Sequence, residues 1–593
     1  MISPARPYAY VVYSEPVQAW SPDARSGSRG PSSATESSPT LSRLRSAVVG
    51  GPALFGVLLL LVLAQQGSSG FFATELARHP DEPAHFVTGV LVFDYLRSGF
   101  TQAPLAFAEQ FYEQYPKVAF GHWPPMFYAL QGIWYAAFGA EPHSLILLLG
   151  VVTALTAALL FWRTMRRHGA VIGSVTTALF LATPVVQYSM VIVGSDSLVT
   201  LLSFGAVLAF IDFMRRGRGR SFATFAICAL VGLLTKGTAL ALVLFALIAP
   251  VLARRTALFR SRALWVTGAA ISALIVPLYF ASLQLGRFGA LSDLIRYSAD
   301  PTARLFVLGQ FANLTSLVVF AGAVLGVAVL VGRHWRSAAF DERRDDAAAA
   351  LAWLLAVVGF QVLSPITGET RYLLPAVVAV LLLFAEGLHA LDEVLLPRWR
   401  RVPAALVPVG LGLLALSTQW SPLPLLTTGY ANVARAIPTV GEAPVRVLIS
   451  SSSQGEGAFV AERLVHDAAR TTYVLRAYKV LADDDWFGKR YRLKVETTSA
   501  LRELLLKDAV GFVVIDDFGQ PPGRAQPHHQ LLHQTVAAYP NEFSLMGRFD
   551  VTVGSSTIPG ALLLYRHDAD DLRSGDRSQS RGDTITADRR VRR

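Results

Sequence analysis

The 593-residue chain is poor in cysteine and in charged side chains. Cys228 is its only cysteine, which excludes an intramolecular disulfide framework and a cysteine-rich metal site. Charged residues make up 16% of the chain, whereas about a quarter is usual for a soluble protein. Hydrophobic residues make up 52%. So much apolar surface cannot all be buried in water-soluble cores, and the composition therefore indicates a chain embedded in a lipid bilayer.

Both ends of the chain differ in composition from the rest. Residues 1–45 are rich in Ser, Pro and Gly without hydrophobic periodicity, which predicts a disordered cytoplasmic tail. Residues 568–593 are also polar and predict a second disordered tail. The first apolar run begins only near Ala47, so we expect no signal peptide and interpret this run as an uncleaved first span.

Long apolar stretches recur between the two tails, and most approach the roughly 20 residues that cross about 30 Å of hydrocarbon. They lie near 47–65, 144–162, 170–190, 196–214, 221–235, 238–253, 263–283, 313–332, 347–364, 371–389 and 402–419. This pattern predicts a polytopic α-helical membrane protein with about 11 spans, in a membrane domain covering 46–420.

Arginine clusters between the spans predict the orientation. Every second connection carries one, which marks those connections as cytoplasmic and explains the net charge of +11 without nucleic-acid binding. The clusters are Arg163/Arg166/Arg167, Arg215/Arg216/Arg218/Arg220, Arg254/Arg255/Arg260/Arg262, Arg333/Arg336/Arg343/Arg344 and Arg398/Arg400/Arg401. A crossing at 125–139 would place the first cluster outside, so we predict a helix there that lies against the outer face.

Three regions are expected beyond the bilayer on the outer, periplasmic side: a large first loop at 66–142, a loop at 284–312 and a domain at 440–567. In that domain, strand-like segments alternate with helical stretches, which predicts an extramembrane α/β fold with a largely parallel sheet. The segments are VRVLIS (445–450), YVLRAY (473–478), GFVVID (511–516) and ALLLY (561–565).

The first outer loop opens with His79-Pro80-Asp81-Glu82-Pro83-Ala84-His85. Pro83 is tolerated only in the first turn of a helix, which puts Asp81 near the N-cap position. A helix N-terminus favours an ionised carboxylate, as a general base requires at neutral pH. Asp81 and His85 are four residues apart and share a face. The alternative is structural, with Asp81 as a cap and Glu82 as a solvated acid.

Further polar residues mark the outer ends of later segments. His122 stands before Trp123 and a double proline that starts a helix, and it could contact a phosphate, an acceptor or only solvent. Asp196 could be a helix cap, and Lys236 could snorkel to lipid headgroups. Glu369 and Arg371 could simply pair with each other. Together, however, cations suit a phosphate leaving group and a carboxylate suits activation of a hydroxyl.

In this order the residues resemble the motifs of the C-type membrane glycosyltransferases, over roughly residues 45–390. The resemblance is to the branch with the protein O-mannosyltransferases, the lipid A aminoarabinose transferases and the RgtA/B/C/D-like bacterial enzymes. Its motifs are Asp81-Glu82, Pro124-Pro125, the Asp196 turn, Thr235-Lys236-Gly237 and Arg371-Tyr372-Leu373-Leu374-Pro375. Mannosyltransferases carry a histidine directly before the two prolines and aminoarabinose transferases a lysine, whereas here Trp123 stands there and His122 one residue earlier.

The resemblance implies an inverting transfer of a sugar from a polyprenyl phosphate to an acceptor hydroxyl of a lipid, polysaccharide or protein. The reaction would occur on the outer face of a bacterial plasma membrane. Asp81 would be the base, with Glu82 supporting it or the acceptor. Lys236 and Arg371 would neutralise the lipid phosphate, and Asp196 would orient the site. The other expected substrate-binding positions are His85, His122, Glu369 and Tyr372.

Two other functions remain open at this point. A transporter or flippase of lipid-linked substrates would place polar residues near the bilayer midplane and show repeated halves, whereas these residues lie at the outer ends. A non-enzymatic assembly subunit is the third candidate. No cofactor and no obligatory metal are expected. His528, His529 and His533 have the helical spacing of a metal pair, and we interpret them as a periplasmic surface cluster.

Overall fold

The computed structural model describes residues 39–119, 121–285, 301–334, 342–364, 369–395, 405–419, 426–438, 444–483, 491–518 and 526–568. Most of the tail at 1–45, nearly all of the tail at 568–593 and residues 286–300 of the 284–312 loop lie outside these ranges. The first helix begins at Pro39, inside the predicted tail and before Ala47.

Helices dominate the part of the chain before residue 420. They are α1 (Pro39–Ser68), α2 (Asp81–Arg97), α3 (Pro104–Gln114), α4 (Met126–Phe138), α5 (Pro142–His168), α6 (Ala170–Ala182), α7 (Pro184–Val191), α8 (Asp196–Arg216), α9 (Gly219–Leu233), α10 (Ala241–Leu252), α11 (Arg262–Leu285), α12 (Pro301–Ala312), α13 (Leu317–Val329), α14 (Glu342–Leu363), α15 (Leu374–Leu395) and α16 (Leu406–Gln419).

Among the described residues, six helices are long and apolar enough to cross a membrane, or up to eight segments if each of two bent pairs forms one span. One pair, α6 with α7, bends by 60° at Thr183 because Pro184 cannot donate a backbone hydrogen bond and starts a new helix. The shorter apolar helices α9, α10 and α16 coincide with three further predicted spans. The mostly helical membrane fold is confirmed, and the count of about 11 spans stays a prediction.

Buried ion pairs hold the arginine-rich ends of several helices together. Asp345 and Asp346, in the first turns of α14, are both buried. Asp345 pairs with Arg255 at 2.9 Å and with Arg215 at 3.5 Å, and Asp346 pairs with Arg167 at 2.7 Å. The ends of α5, α8, α10 and α14 therefore meet on one side, as expected if that side is cytoplasmic.

The C-terminal region contains a sheet between helices. Its elements are β1 (Thr427–Thr428), α17 (Tyr430–Ala436), β2 (Val445–Ser450), α18 (Ser453–His466), β3 (Thr472–Arg476), α19 (Ala477–Val480), β4 (Ala482–Asp483), β5 (Arg492–Leu493), α20 (Thr498–Lys507), β6 (Phe512–Asp516), α21 (Pro527–Ala538), β7 (Phe543–Phe549), β8 (Thr552–Val553), β9 (Ser556–Thr557) and β10 (Leu562–His567). Because β1 pairs with β8, the domain begins before the predicted boundary at 440.

The main sheet has the strand order β3-β2-β6-β10-β7. The strands β3, β2 and β6 are parallel, whereas β10 is antiparallel to both β6 and β7. The sheet is therefore mixed, and the expectation of a largely parallel sheet is wrong for its second half. No apolar run marks β7 in the sequence, because this edge strand exposes most of its side chains. Successive side chains of β2 point to opposite faces of the sheet. One set packs on α18, and the other packs on α20 and α21.

The C-terminal domain is fastened to the first outer loop along a line of contacts that we call the docking seam. The Tyr115 hydroxyl donates to Asp467 Oδ2 at 2.8 Å, and Arg470 Nε donates to Asp94 Oδ2 at 2.9 Å. Further bonds join Gln114 to Arg470, Lys479 to Tyr112, and Glu75 to the backbone N–H groups of Gly429 and Tyr430. Helix α18 packs directly on α2, so the domain sits beside the Asp81 motif.

Candidate functional site

Helix α2 begins at Asp81, so the first helical turn presents this carboxylate. Pro80 occupies the N-cap position and no side chain caps the helix, which corrects the expectation that Asp81 sits at the N-cap. Asp81 Oδ2 instead accepts a hydrogen bond from Arg371 Nη2 at 2.7 Å, although 290 residues separate the two. The Asp81 side chain remains 14% exposed, so a substrate group could reach it.

A second ion pair lies next to the first. Asp196, the first residue of α8, accepts a hydrogen bond from Lys236 Nζ at 2.6 Å, and both residues are buried. Arg371 Nε lies 3.9 Å from Asp196 Oδ2, which joins the two pairs. We call Asp81, Asp196, Lys236 and Arg371 the outer-face cluster. Lys236 therefore does not snorkel to headgroups, and Asp196 does not cap its helix.

Three more predicted or neighbouring residues border the outer-face cluster. The Tyr372 ring lies 4.3 Å from Lys236 Nζ, close enough for a cation–π contact. Glu369 forms an ion pair with Arg371. His79 contacts both acids, with Nδ1 3.6 Å from Asp81 Oδ2 and Nε2 3.8 Å from Glu369 Oε2. Sequence reasoning does not single out His79, although it stands in the same motif as Asp81.

Glu82 has a different environment from Asp81. It is fully buried, and its carboxylate accepts backbone hydrogen bonds from Arg78 and His79 at 3.0 and 2.9 Å. These two bonds go to Oε2, and Oε1 accepts a third hydrogen bond, from the backbone N–H of Val193 at 3.1 Å. Val193 lies in the turn that leads to Asp196. Glu82 therefore ties the Asp81 segment to the Asp196 turn and does not present a carboxylate to an acceptor. The expectation that it contacts the acceptor is not supported by this geometry.

His85 points into an aromatic layer behind the cluster. It is buried, its Nδ1 lies 2.8 Å from the Tyr128 hydroxyl, and its ring stacks on Trp123 with a centroid distance of 4.0 Å. His122 contacts the edge of Trp123 at 4.1 Å between ring centroids. His122 is half-buried and within electrostatic reach of Asp81 and Lys236, whereas His85 stacks beneath Trp123. Trp123, which stands where the related enzymes carry a histidine or a lysine, thus has a structural role as the ring on which His85 stacks. The spacing of residues in the sequence does not reveal this role.

Burial and charge set the protonation of the groups in the first outer loop. Burial alone would raise the pKa of Asp81, but electrostatic interactions with His85 and with the Arg371 guanidinium, which also donates a hydrogen bond to it, hold this pKa below its ordinary value. Burial raises the pKa of Glu82 to about 7 and lowers the pKa of His122 to about 4. At neutral pH the site therefore offers an ionised Asp81 beside a neutral His122.

The three histidines of the C-terminal domain do not form a surface cluster. His528 is fully buried and its Nδ1 lies 2.9 Å from the Tyr491 hydroxyl. His529 lies between Ser450, at 2.9 Å, and the Asp516 backbone oxygen, at 3.1 Å, and His533 contacts the same oxygen. Side chains of α21 thus bind the ends of β2 and β6. Within the described ranges, no group of three or more His, Cys, Asp or Glu residues is placed to hold a metal ion.

Comparison with known proteins gives one family match. Residues 122–280 match the model of the dolichyl-phosphate-mannose-protein mannosyltransferase family. The matched segment includes His122, Asp196 and Lys236, and it ends before Arg371. No curated protein sequence matches the chain.

Several solved structures resemble this chain at low sequence identity. The crystal structure of apo ArnT from Cupriavidus metallidurans is 14% identical, with 89% of this chain and 99% of that chain covered and a TM-score of 0.46. The oligosaccharyltransferase AglB from Archaeoglobus fulgidus, in complex with an inhibitory peptide and a dolichol-phosphate, is 12% identical, with 87% and 76% covered and a TM-score of 0.48. The arabinofuranosyltransferase AftD from Mycobacteria is 15% identical, with 75% and 35% covered and a TM-score of 0.40.

The family match covers the middle of the membrane domain, where the motifs around the double proline, Asp196 and Lys236 occur in the expected order. It confirms the resemblance of this chain to the C-type membrane glycosyltransferases.

Proposed function

We propose that the chain is an integral-membrane, inverting glycosyltransferase with about 11 spans in a bacterial plasma membrane. It transfers a sugar from a polyprenyl-phosphate donor to a hydroxyl of a glycan, lipid or protein acceptor on the periplasmic face. The observation that carries this proposal is the outer-face cluster, in which segments far apart in sequence bring Asp81, Asp196, Lys236 and Arg371 into contact.

The cluster supplies the two kinds of group that the transfer needs. Asp81 is ionised and partly exposed, so it can take the proton of an acceptor hydroxyl as the new bond forms. Lys236 and Arg371 can neutralise the phosphate that leaves. A polyprenyl phosphate leaves as a stable anion, and no general acid is therefore required.

Donor binding must change the ion pairs that the structure shows. Arg371 bonds Asp81 directly, and a carboxylate held by a guanidinium is a weaker base. A donor phosphate competes for Arg371 and so frees Asp81 to accept the acceptor proton. Asp196 keeps Lys236 in place meanwhile, and Glu82 holds the segments that carry Asp81 and Asp196 together.

The test is an assay of purified full-length protein with a polyprenyl-phosphate sugar. Asp81→Asn keeps the side-chain size but removes the base, so turnover should fall by at least about a hundredfold. The variant should remain folded, because Arg371 keeps Asp196 and Glu369 as partners, and it should bind the donor at least as tightly as wild type, because Asp81 no longer competes with the phosphate for Arg371. Glu113→Asn, at an exposed position of α3, is the control and should keep full turnover. Undiminished turnover of Asp81→Asn would overturn the assignment and favour a transporter of lipid-linked substrates.

A further inference from the structure

Resting on the proposed function, we infer that Lys117 binds a negatively charged group of the acceptor, a phosphate or a carboxylate, where the docking seam meets the Asp81 motif. The acceptor is thus an anionic molecule that enters between the first outer loop and the C-terminal domain. Lys117 would determine acceptor specificity without taking part in the proton transfer.

A glycine in the C-terminal domain makes room for Lys117. A Cβ atom at Gly457 would stand 2.8 Å from Lys117 Cε and 2.8 Å from Pro83 Cγ, closer than such atoms can approach. The lysine side chain therefore lies against α18 on one side, next to the turn of α2 that starts with Asp81. This placement needs both the loop and the domain, because Gly457 and Pro83 come from opposite sides of the docking seam.

Lys117 lacks the partners that its cationic neighbours have. Arg476 is bonded to Glu456 at 3.0 Å, and Lys479 donates to the Tyr112 hydroxyl at 2.7 Å. Glu456 is also occupied, because its second oxygen accepts the Tyr478 N–H at 3.0 Å. Across the described residues, Lys117 makes no side-chain hydrogen bond or ion pair.

The charges around Lys117 favour an anion. Arg476 and Lys479 repel its ammonium group, whereas the two acids within electrostatic reach, Glu456 and Asp81, are already paired with arginines. Burial lowers the pKa of the Lys117 amine, since a half-buried ammonium without a partner is poorly solvated. A bound phosphate or carboxylate restores the missing partner. The same anion would hold a neighbouring acceptor hydroxyl near Asp81.

The first test measures binding without catalysis. The full-length wild-type protein in phosphatidylcholine nanodiscs is treated with an amine-acetylating reagent, and the modification of each lysine is quantified by mass spectrometry. Glucose 6-phosphate and glucuronate are the anionic probes, and glucose is the neutral control. We expect either or both anionic probes to slow the acetylation of Lys117 several-fold while glucose leaves it unchanged. Lys507, exposed at the end of α20, should react equally throughout.

Several outcomes of this labelling would overturn the inference. Equal acetylation of Lys117 with all three probes means that no anion binds there. Protection of Lys236 alone means that the anions occupy the donor site. Protection of Lys117 only after phosphatidylglycerol is added to the nanodiscs means that the amine binds a membrane lipid.

The second test separates acceptor binding from the chemistry. Lys117→Met keeps the apolar stem and removes the charge, and transfer to a limiting amount of native envelope extract should fall by about ten- to a hundredfold. Hydrolysis of the donor by water, without extract, should be unchanged, and Lys117→Arg should recover much of the transfer. Lys507→Met should behave as wild type.

Equal losses of hydrolysis and transfer in Lys117→Met would show that Lys117 supports the fold or the donor, which contradicts the inference. If the wild-type protein neither transfers nor hydrolyses the donor, the proposed function fails, and the labelling test still decides whether Lys117 binds an anion.

Discussion

Two adjacent carboxylates, Asp81 and Glu82, have opposite environments. They lie about 100° apart around the start of α2, so one faces the outer-face cluster while the other turns into the protein. Asp81 meets a guanidinium and remains partly exposed, whereas Glu82 meets only backbone N–H groups. The two neighbouring residues of the motif therefore differ in role: Asp81 is the proposed base, and Glu82 positions the segment that carries it.

The positioning role of Glu82 predicts a loss of stability in Glu82→Gln. The amide places an NH₂ group where the carboxylate accepts backbone N–H groups, and at least one buried donor is left unpaired. Such a loss costs about 1–3 kcal/mol, which thermal unfolding in detergent can measure. Turnover should fall less than in Asp81→Asn. Glu113→Gln, an exposed acid of the same loop, is the control, and equal unfolding of the two variants would contradict the role of Glu82.

The raised pKa of Glu82 also predicts a pH dependence of stability. Because burial raises this pKa from 4.5 to about 7, the folded state holds the proton more tightly than the unfolded chain does. The stability due to this proton is complete below pH 4.5 and is lost as the pH rises through about 7. The free energy of unfolding of wild type, relative to Glu82→Gln, should therefore decrease between about pH 4.5 and pH 7 and level off above that. A constant difference over that range would exclude Glu82 as the titrating group.

At the scale of elements, the outer-face cluster is assembled from four separate segments, and each segment contributes one of its four charged residues. Lys236→Ala removes a proposed phosphate ligand and also takes from the buried Asp196 its hydrogen-bonded cation, leaving only Arg371 at 3.9 Å. Breaking a buried pair in this way costs about 3–5 kcal/mol, so the variant should unfold at a lower temperature. Adding Asp196→Asn should recover much of the stability.

The donor affinity should separate these two effects. It should stay about ten- to a hundredfold weaker in the double variant Lys236→Ala/Asp196→Asn, because the phosphate contact is still missing. Binding of a polyprenyl-phosphate sugar to the purified variants measures this directly. Recovery of both stability and donor affinity in the double variant would leave Lys236 with a structural role only.

The elements that the sequence predicts well are those whose own composition specifies them. Apolar runs mark the spans and strands β2, β3, β6 and β10, whereas β7 has no such run because it lies exposed at a sheet edge. The order of the motifs in the sequence is enough to identify the candidate site residues Asp81, Asp196, Lys236 and Arg371. The sequence does not predict which of these residues pair with each other. The contact between Asp81 and Arg371, for example, joins positions 290 residues apart and depends on tertiary packing.

At the scale of the whole molecule, contacts at both ends of the helices bear on the number of spans. Helix α9 runs from the end of α8 back to Lys236, which bonds the start of α8. Helix α10 then leads to Arg255, which shares Asp345 with Arg215 at the other end of α8. Both short helices thus run the full distance between the two ends, although neither is long enough to qualify as a span by itself.

The docking seam adds a parity condition to this count. It places the first outer loop and the C-terminal domain on the same side, so an even number of crossings must separate them. In the described part of the chain between them lie five long helices and two bent pairs. Adding α9 and α10 leaves an odd number of crossings, and α16 must then cross as well. With α1, this supports the predicted total of about 11 spans.

Labelling of single cysteines from outside the cell tests this topology. In a Cys228→Ser background, cysteines at Gln102 and Ser499 should react with a membrane-impermeant maleimide, since the docking seam puts both regions on the same side and the arginine clusters predict that this side is the outer one. Cysteines at Ala170 and Arg218, beside the arginine clusters, should react only after the membrane is permeabilised. All four positions are exposed, so a lack of reaction reports the side of the membrane and not burial. If the cysteine at 102 reacts and the cysteine at 499 does not, an odd number of crossings separates the two regions. The C-terminal domain would then not lie on the same side of the membrane as Lys117 and Asp81.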